Sequence, residues 1–273
     1  MIADVWIPAL SALFVWWFST GVILLVVRRA DRSGGHAHRL AVIAGLPLVA
    51  LGIVGVAHSI DHTGVAGAYI GFLSAVALWG WIELAFLTGC VTGPNRTPCL
   101  PGMRGVARMR DAWNTVVHHE LLLLLGLLFL VVASTDAPNQ MAMWTYLVLF
   151  GARILAKLNL FYGVPRINTE FIPRPLDHMK SYFRKGSVTV AFPVAVTLLS
   201  LTFGCFVHQL WTAETDGEAV GFALLSALTA LALLEHWLMV VPLPDAKLWR
   251  WMLPAPTAPD PRFAQTKLNT SER

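Results

Sequence analysis

Seven long, continuous apolar runs constrain this chain more than any other feature. They lie at about 5–27, 40–57, 68–90, 112–134, 141–162, 187–211 and 219–241. A helix crossing a bilayer needs roughly 20 predominantly apolar residues. Inside lipid, every backbone polar group must be satisfied by the protein itself, so only helices and closed barrels span membranes. The runs do not alternate polar with apolar residues, which excludes barrel strands. The predicted fold is therefore all-α: a polytopic membrane helix bundle with seven transmembrane helices over residues 1–251. The tail, 252–273, contains Pro254, Pro256, Pro259 and Pro261 and is expected to be extended or disordered. Only 13% of residues are charged, against about a quarter in soluble domains. That composition excludes a disordered chain, a nucleic-acid binder and an ordinary soluble enzyme. The second run is the weakest, because it contains Pro47, Gly45, Gly52 and Gly55.

The basic residues predict the orientation. Arg28, Arg29, Arg32 and Arg39 lie in the first loop, and Arg96, Arg104, Arg108 and Arg110 in the third. Arg166, Arg174, Lys180, Arg184 and Lys185 lie in the fifth, and five more bases lie in the tail. The opposite segments hold Asp4, Asp61, Asp136, Glu214, Asp216 and Glu218, with no Lys or Arg. The positive-inside rule then places the N-terminus outside and the C-terminus in the cytoplasm. Asp4 precedes the first run and its arginines follow it, so this run reads as a retained span rather than a cleaved signal. The fifth loop, 163–186, mixes bases with Leu176, Met179, Tyr182 and Phe183. This pattern suits either a short interfacial helix on the cytoplasmic leaflet or a solvated basic loop.

Ionisable groups at membrane depth are costly and mark candidate sites. Counting 1.5 Å per residue from the cytoplasmic end of each span gives their depth. Glu83, His118, His119, Glu120, Arg153, Lys157, Glu235 and His236 all fall in one layer, roughly 7–14 Å deep. Asn159 lies in the same region. Carboxylate and imidazole suit iron, manganese or zinc, so Glu83, His119, Glu120, Glu235 and His236 form a candidate metal set. There is no Glu-x-x-His repeat of the di-iron bundle kind. His118 and Glu120 point about 200° apart on a helix, and Arg153 and Lys157 would repel a cation. The alternative is an ion-pair network that ties helices together. A proton path is a third reading.

His236 and His208 are candidate pigment ligands. Each follows a small residue by four positions, Ala232 and Gly204 respectively, which leaves room for a macrocycle. At the outer face, His58 and His62 share one helical side if the turn continues. This pair could hold a metal or could simply be a hydrated helix end. Cys90, Cys99 and Cys205 form no CxxC pair. The last span has no lysine for a retinal Schiff base. No phosphate-binding loop, nucleophile elbow or HExxH motif is present. Several tryptophans, including Trp6, Trp113 and Trp211, lie at span ends, where aromatic belts form.

The stretch Ala152-Arg-Ile-Leu-Ala-Lys-Leu-Asn-Leu-Phe-Tyr-Gly-Val-Pro-Arg-Ile-Asn168 is distinctive. So are His178-Met-Lys-Ser-Tyr-Phe-Arg184, Glu235-His-Trp237 and Pro242-Leu-Pro-Asp-Ala-Lys-Leu-Trp-Arg-Trp251. With the length and span number, these strings make the chain resemble the photosynthetic complex assembly protein family PuhE of purple-type phototrophic bacteria. The resemblance implies a multi-pass protein of the bacterial cytoplasmic (inner or intracytoplasmic) membrane. It further implies an assembly factor for the reaction centre and core light-harvesting complex, linked to bacteriochlorophyll supply. The implied partners are membrane lipid, reaction-centre or light-harvesting subunits and bacteriochlorophyll. A metal-dependent membrane enzyme of tetrapyrrole or quinone metabolism, using the inner Glu/His layer, is the alternative. The resemblance supplies no catalytic residues.

Overall fold

The computed structural model describes residues 5–242. Eight α-helices follow in order: α1 (Trp6–Ser33), α2 (Ala37–Ala44), α3 (Leu46–Ser59), α4 (Val65–Leu87), α5 (Gly105–Ala133), α6 (Met141–Tyr162), α7 (Ala191–Trp211) and α8 (Asp216–Leu238). Two 3-10 segments, Thr169–Phe171 and Arg174–Tyr182, lie between α6 and α7. No strand occurs among the described residues. With α2 and α3 taken together, seven helical units are long and apolar enough to cross a membrane. The expected tail, 252–273, lies outside the described residues.

The helices differ from the apolar runs mainly at their ends. α1 continues to Ser33 through Arg28, Arg29 and Arg32, and α5 begins at Gly105, ahead of Arg108 and Arg110. Hydropathy marks where lipid would stop, whereas a helix continues as long as its backbone bonds do. The second span breaks in two at Gly45. Pro47 sits in the first turn of α3, where its missing N–H costs least. The Trp81 indole donates to the Val42 carbonyl at 3.0 Å, satisfying a backbone group at the end of α2. α8 starts at a capping box in which Thr215 and Glu218 each bond the other's backbone.

α4 and α8 occupy the centre. α4 is buried around most of its circumference between Gly67 and Phe86, with Leu73 exposed, as its all-round apolar sequence favours. Phe72, Trp79, Leu123, Tyr146, Leu224 and Leu225 form the heart of the core. Leu10, Leu51, Leu125, Val132 and Leu201 on the peripheral helices are exposed, as suits surfaces turned toward lipid. α3 lies directly on α4. A Cβ at Gly52 would strike the Leu78 side chain, and one at Gly55 would strike the Ser74 hydroxyl. Small residues bring membrane helices together in this way.

The α6–α7 connection shows where its apolar residues pack. The amphipathic pattern of 175–184 is present, but the segment is a 3-10 turn whose apolar side faces the protein. Leu176 and Met179 pack on Phe86, with Val116 and Ile172 beside them. Tyr182 is buried, and its hydroxyl donates to Asp111 and accepts from Asn95. Arg108 donates to the Tyr182 and Phe161 carbonyls at 2.6 and 3.2 Å and covers the Phe161 ring. Arg96 donates to the Gly89 carbonyl at 3.2 Å, just past the end of α4. The bases of this end thus brace helix termini and loops together. Burial, reinforced by the bond to Asp111, pushes the Tyr182 phenol up to about 12.

Two outcomes are expected. Gly52→Leu forces α3 from α4 and lowers stability in detergent by about 1–3 kcal/mol. Gly204→Leu serves as its control, because a Cβ at Gly204 meets nothing within 4 Å, and melting temperatures compare the two. Second, the stabilisation from neutral Tyr182 is complete below about pH 10, where a free tyrosine titrates, and is lost as pH rises through about 12. A phenolate absorbance titration of wild type minus Tyr182→Phe should show one group ionising near 12 rather than near 10.

Candidate functional site

Three helices bring ionisable residues together around Phe86. Glu83 and Phe86 lie one turn apart on α4, and Arg153 and Lys157 one turn apart on α6. These spacings place each pair on one helical face. An Arg153 guanidinium nitrogen lies 2.7 Å from Glu83 Oε2, and Lys157 Nζ pairs with Glu120 of α5. Both bases lie over the Phe86 ring, with the Arg153 guanidinium carbon 5.7 Å and Lys157 Nζ 5.5 Å from its centroid. His119 is fully buried and leans on Phe86 at a ring separation of 4.2 Å. Its Nε2 lies 3.7 Å from Glu83 Oε1, beyond hydrogen-bonding distance. The loop after α4 docks here as well: the His119 N–H donates to the Thr92 carbonyl, and the Asn95 N–H to that of Asn114.

Two acids face two bases, so this group carries no net formal charge if all four are ionised. Charges taken out of water need such pairing. The arrangement is the ion-pair network that was one of the sequence alternatives. His118 points away and is exposed, while Glu120 points inward, as their angular separation required. Asn159 is fully buried, and neither its Oδ1 nor its Nδ2 has a protein partner.

Glu235 and His236 belong to a separate feature. A cavity of about 290 Å³ lies among α1, α4, α6 and α8. Trp16, Trp79, Gly80 and Ala232 are among its lining residues, with Phe171 from the α6–α7 connection. Glu83 and Arg153 also line it, which joins it to the ion-pair layer. The Trp16 indole donates to Glu235 Oε1 at 3.0 Å. His236 is 2% exposed. Its Nδ1 is 2.8 Å from the Ala232 carbonyl, which can only accept, so Nδ1 carries the proton. Nε2 of the neutral ring is then an acceptor, and it is buried without a protein partner. Metal-ligating histidines commonly fix their tautomer through a bond of this kind, and here it leaves Nε2 as an unused acceptor.

The five candidate metal ligands do not assemble. Among the described residues, no three His, Cys, Asp or Glu side chains are placed to hold a metal ion. Glu83 and Glu120 are held by bases, and Glu235 by Trp16. His208 is exposed near the far end of α7, away from the residues lining the cavity. His58 and His62 share a face as expected, with rings 4.5 Å apart, but His62 Nδ1 lies 2.6 Å from the His58 carbonyl. Sequence reasoning missed Phe86 and Trp16. Nothing distinguishes Phe86 from other apolar residues of α4. Trp16 gave a signal, since a tryptophan in the middle of a span needs a partner for its N–H.

Fold and site together define a multi-pass α-helical membrane protein with paired charges and an open cavity at membrane depth. The chain belongs to the family described as "Protein of unknown function (DUF3623)", whose model matches residues 2–260. It is similar to a Rhodobacter capsulatus protein described as "Uncharacterized 30.4 kDa protein in puhA 5'region", with 50% identity over 260 residues and 95% of each chain covered. No solved structure matches.

Removing one partner of a buried pair leaves an uncompensated charge. Lys157→Met is therefore expected to lower stability by about 3–5 kcal/mol. Adding Glu120→Leu should restore most of that loss. Thermal unfolding of both single variants and the double variant measures the coupling.

Proposed function

We propose that this protein is a non-enzymatic assembly factor of the PuhE kind, acting on the photosynthetic reaction centre and core light-harvesting complex. The supporting observation is its 50% identity, across nearly the whole chain, to a protein encoded in the puhA 5' region of a phototroph. That region belongs to the reaction-centre gene puhA. The bundle's architecture suits the role: its charged residues at depth are largely engaged with one another, and its exposed helix faces are apolar. A factor of this kind works by holding membrane subunits or pigment, not by chemistry. Its place is the bacterial cytoplasmic or intracytoplasmic membrane, with the N-terminus outside and the basic loops in the cytoplasm. Its partners are reaction-centre or light-harvesting subunits, membrane lipid and bacteriochlorophyll on its way to them. A bacteriochlorophyll macrocycle would have to contact a lipid-facing surface, because it is too large to lie wholly within a cavity of about 290 Å³.

The test is deletion of the relative's gene in Rhodobacter capsulatus and complementation with this chain. The expected outcome is a reduced core-complex absorption band, restored by the wild-type sequence, with pigment precursors unchanged. Accumulation of one biosynthetic intermediate would overturn the proposal in favour of an enzyme.

A further inference from the structure

We propose that the cavity among α1, α4, α6 and α8 binds the hydroxylated single-ring head group of a bilayer-dissolved amphiphile, a ligand of the quinol type. This inference goes beyond the assembly role and does not rest on it.

Size is the first argument. Pockets for drug-sized ligands run from roughly 300 to 1,000 Å³, and this cavity, at about 290 Å³, stands at the lower limit. One substituted ring fits that volume, and a hydrophobic tail would extend out between the helices. Access is the second. Glu235 lines the cavity yet is exposed, so the cavity opens to the outside of the bundle at membrane depth.

The third argument is the polarity of the unused groups. His236 Nε2 is an acceptor with no protein partner. Glu235 holds the Trp16 N–H through Oε1, which fixes the carboxyl group against α1. His236 Nε2 calls for a ligand that donates, and Arg153 Nε, a buried donor without a protein partner on the same lining, for one that also accepts; a ring hydroxyl does both. A quinol supplies two O–H groups, whereas the oxidised quinone supplies none. A fatty-acid carboxylate supplies acceptors but no donor for His236 Nε2. Buried polar sites reject ligands that leave their groups unpaired, so the pocket should distinguish the reduced ring from the oxidised one.

The experiment is calorimetric titration of the purified full-length protein in detergent micelles, with empty micelles as reference. The probes are decylubiquinol, kept reduced under anaerobic conditions, and decylubiquinone. The expected result is one saturable site per chain that favours the quinol by about tenfold, the scale of one net hydrogen bond. His236→Phe should remove most of that preference. Gly80→Val tests the location independently of the polar groups. A Cβ at Gly80 meets only Ile23 Cδ1, at 3.5 Å, so the added methyls enter the cavity and binding of both forms should fall. An unchanged circular dichroism melt shows that each variant is folded, and Ala232→Leu, from the α8 wall, replaces Gly80→Val if that variant is not. Heat signals no different from empty micelles would overturn the proposal. So would equal affinity for the two redox forms, or saturable binding that ignores both His236→Phe and the plug.

Discussion

The pairing of two half-buried bases with two buried acids across three helices is the constraint on which this bundle depends. Arg153 and Lys157 lie on one face of α6, at a depth where an isolated cation is costly. Each is answered by a different helix, Glu83 on α4 and Glu120 on α5. The rotation of α6 about its axis is thereby fixed against two neighbours at once. Apolar packing alone would tolerate more latitude, because lipid chains compete with side chains on nearly equal terms. Phe86 completes the arrangement by offering its ring to both cations, a favourable contact where water is scarce.

Much of the architecture was legible from hydropathy, because the bilayer imposes a length and a composition on each span. What hydropathy could not mark was where a helix ends once it has left the apolar region, as α1 and α5 show. The depth of the polar layer was legible too, since rise per residue is constant. Its partners were not. His118, His119 and Glu120 are consecutive, so they cannot all face one way, and the sequence does not reveal which neighbour lies on which side. Residues at equal depth therefore divided into an ion-pair layer and a cavity rather than one metal centre. The α6–α7 connection teaches the same lesson. Leu176, Met179 and Tyr182 announce an apolar side, but only the fold shows that Phe86 and Asp111 cover it instead of lipid.

Tryptophans divide in a similar way. Those at helix ends fit an interfacial belt, while Trp16 and Trp81 spend their N–H groups inside the protein. Trp81 repairs the break between α2 and α3, and Trp16 fixes the Glu235 carboxylate. A residue type with one bland explanation thus has a second, structural use wherever it occurs away from a boundary.

The short span of chain between Phe171 and Tyr182 joins two features that otherwise seem unrelated. Phe171 helps enclose the cavity, and Tyr182, eleven residues on, is fastened to Asp111 and Arg108. A molecule that needs Phe171 to move must work against that fastening. A protein docking on the same loop and lifting it from Asp111 would lower the cost of entry. By reciprocity, the occupied cavity would ease the docking by the same factor. The loop in that sense couples a wall of the cavity to the first turns of α5.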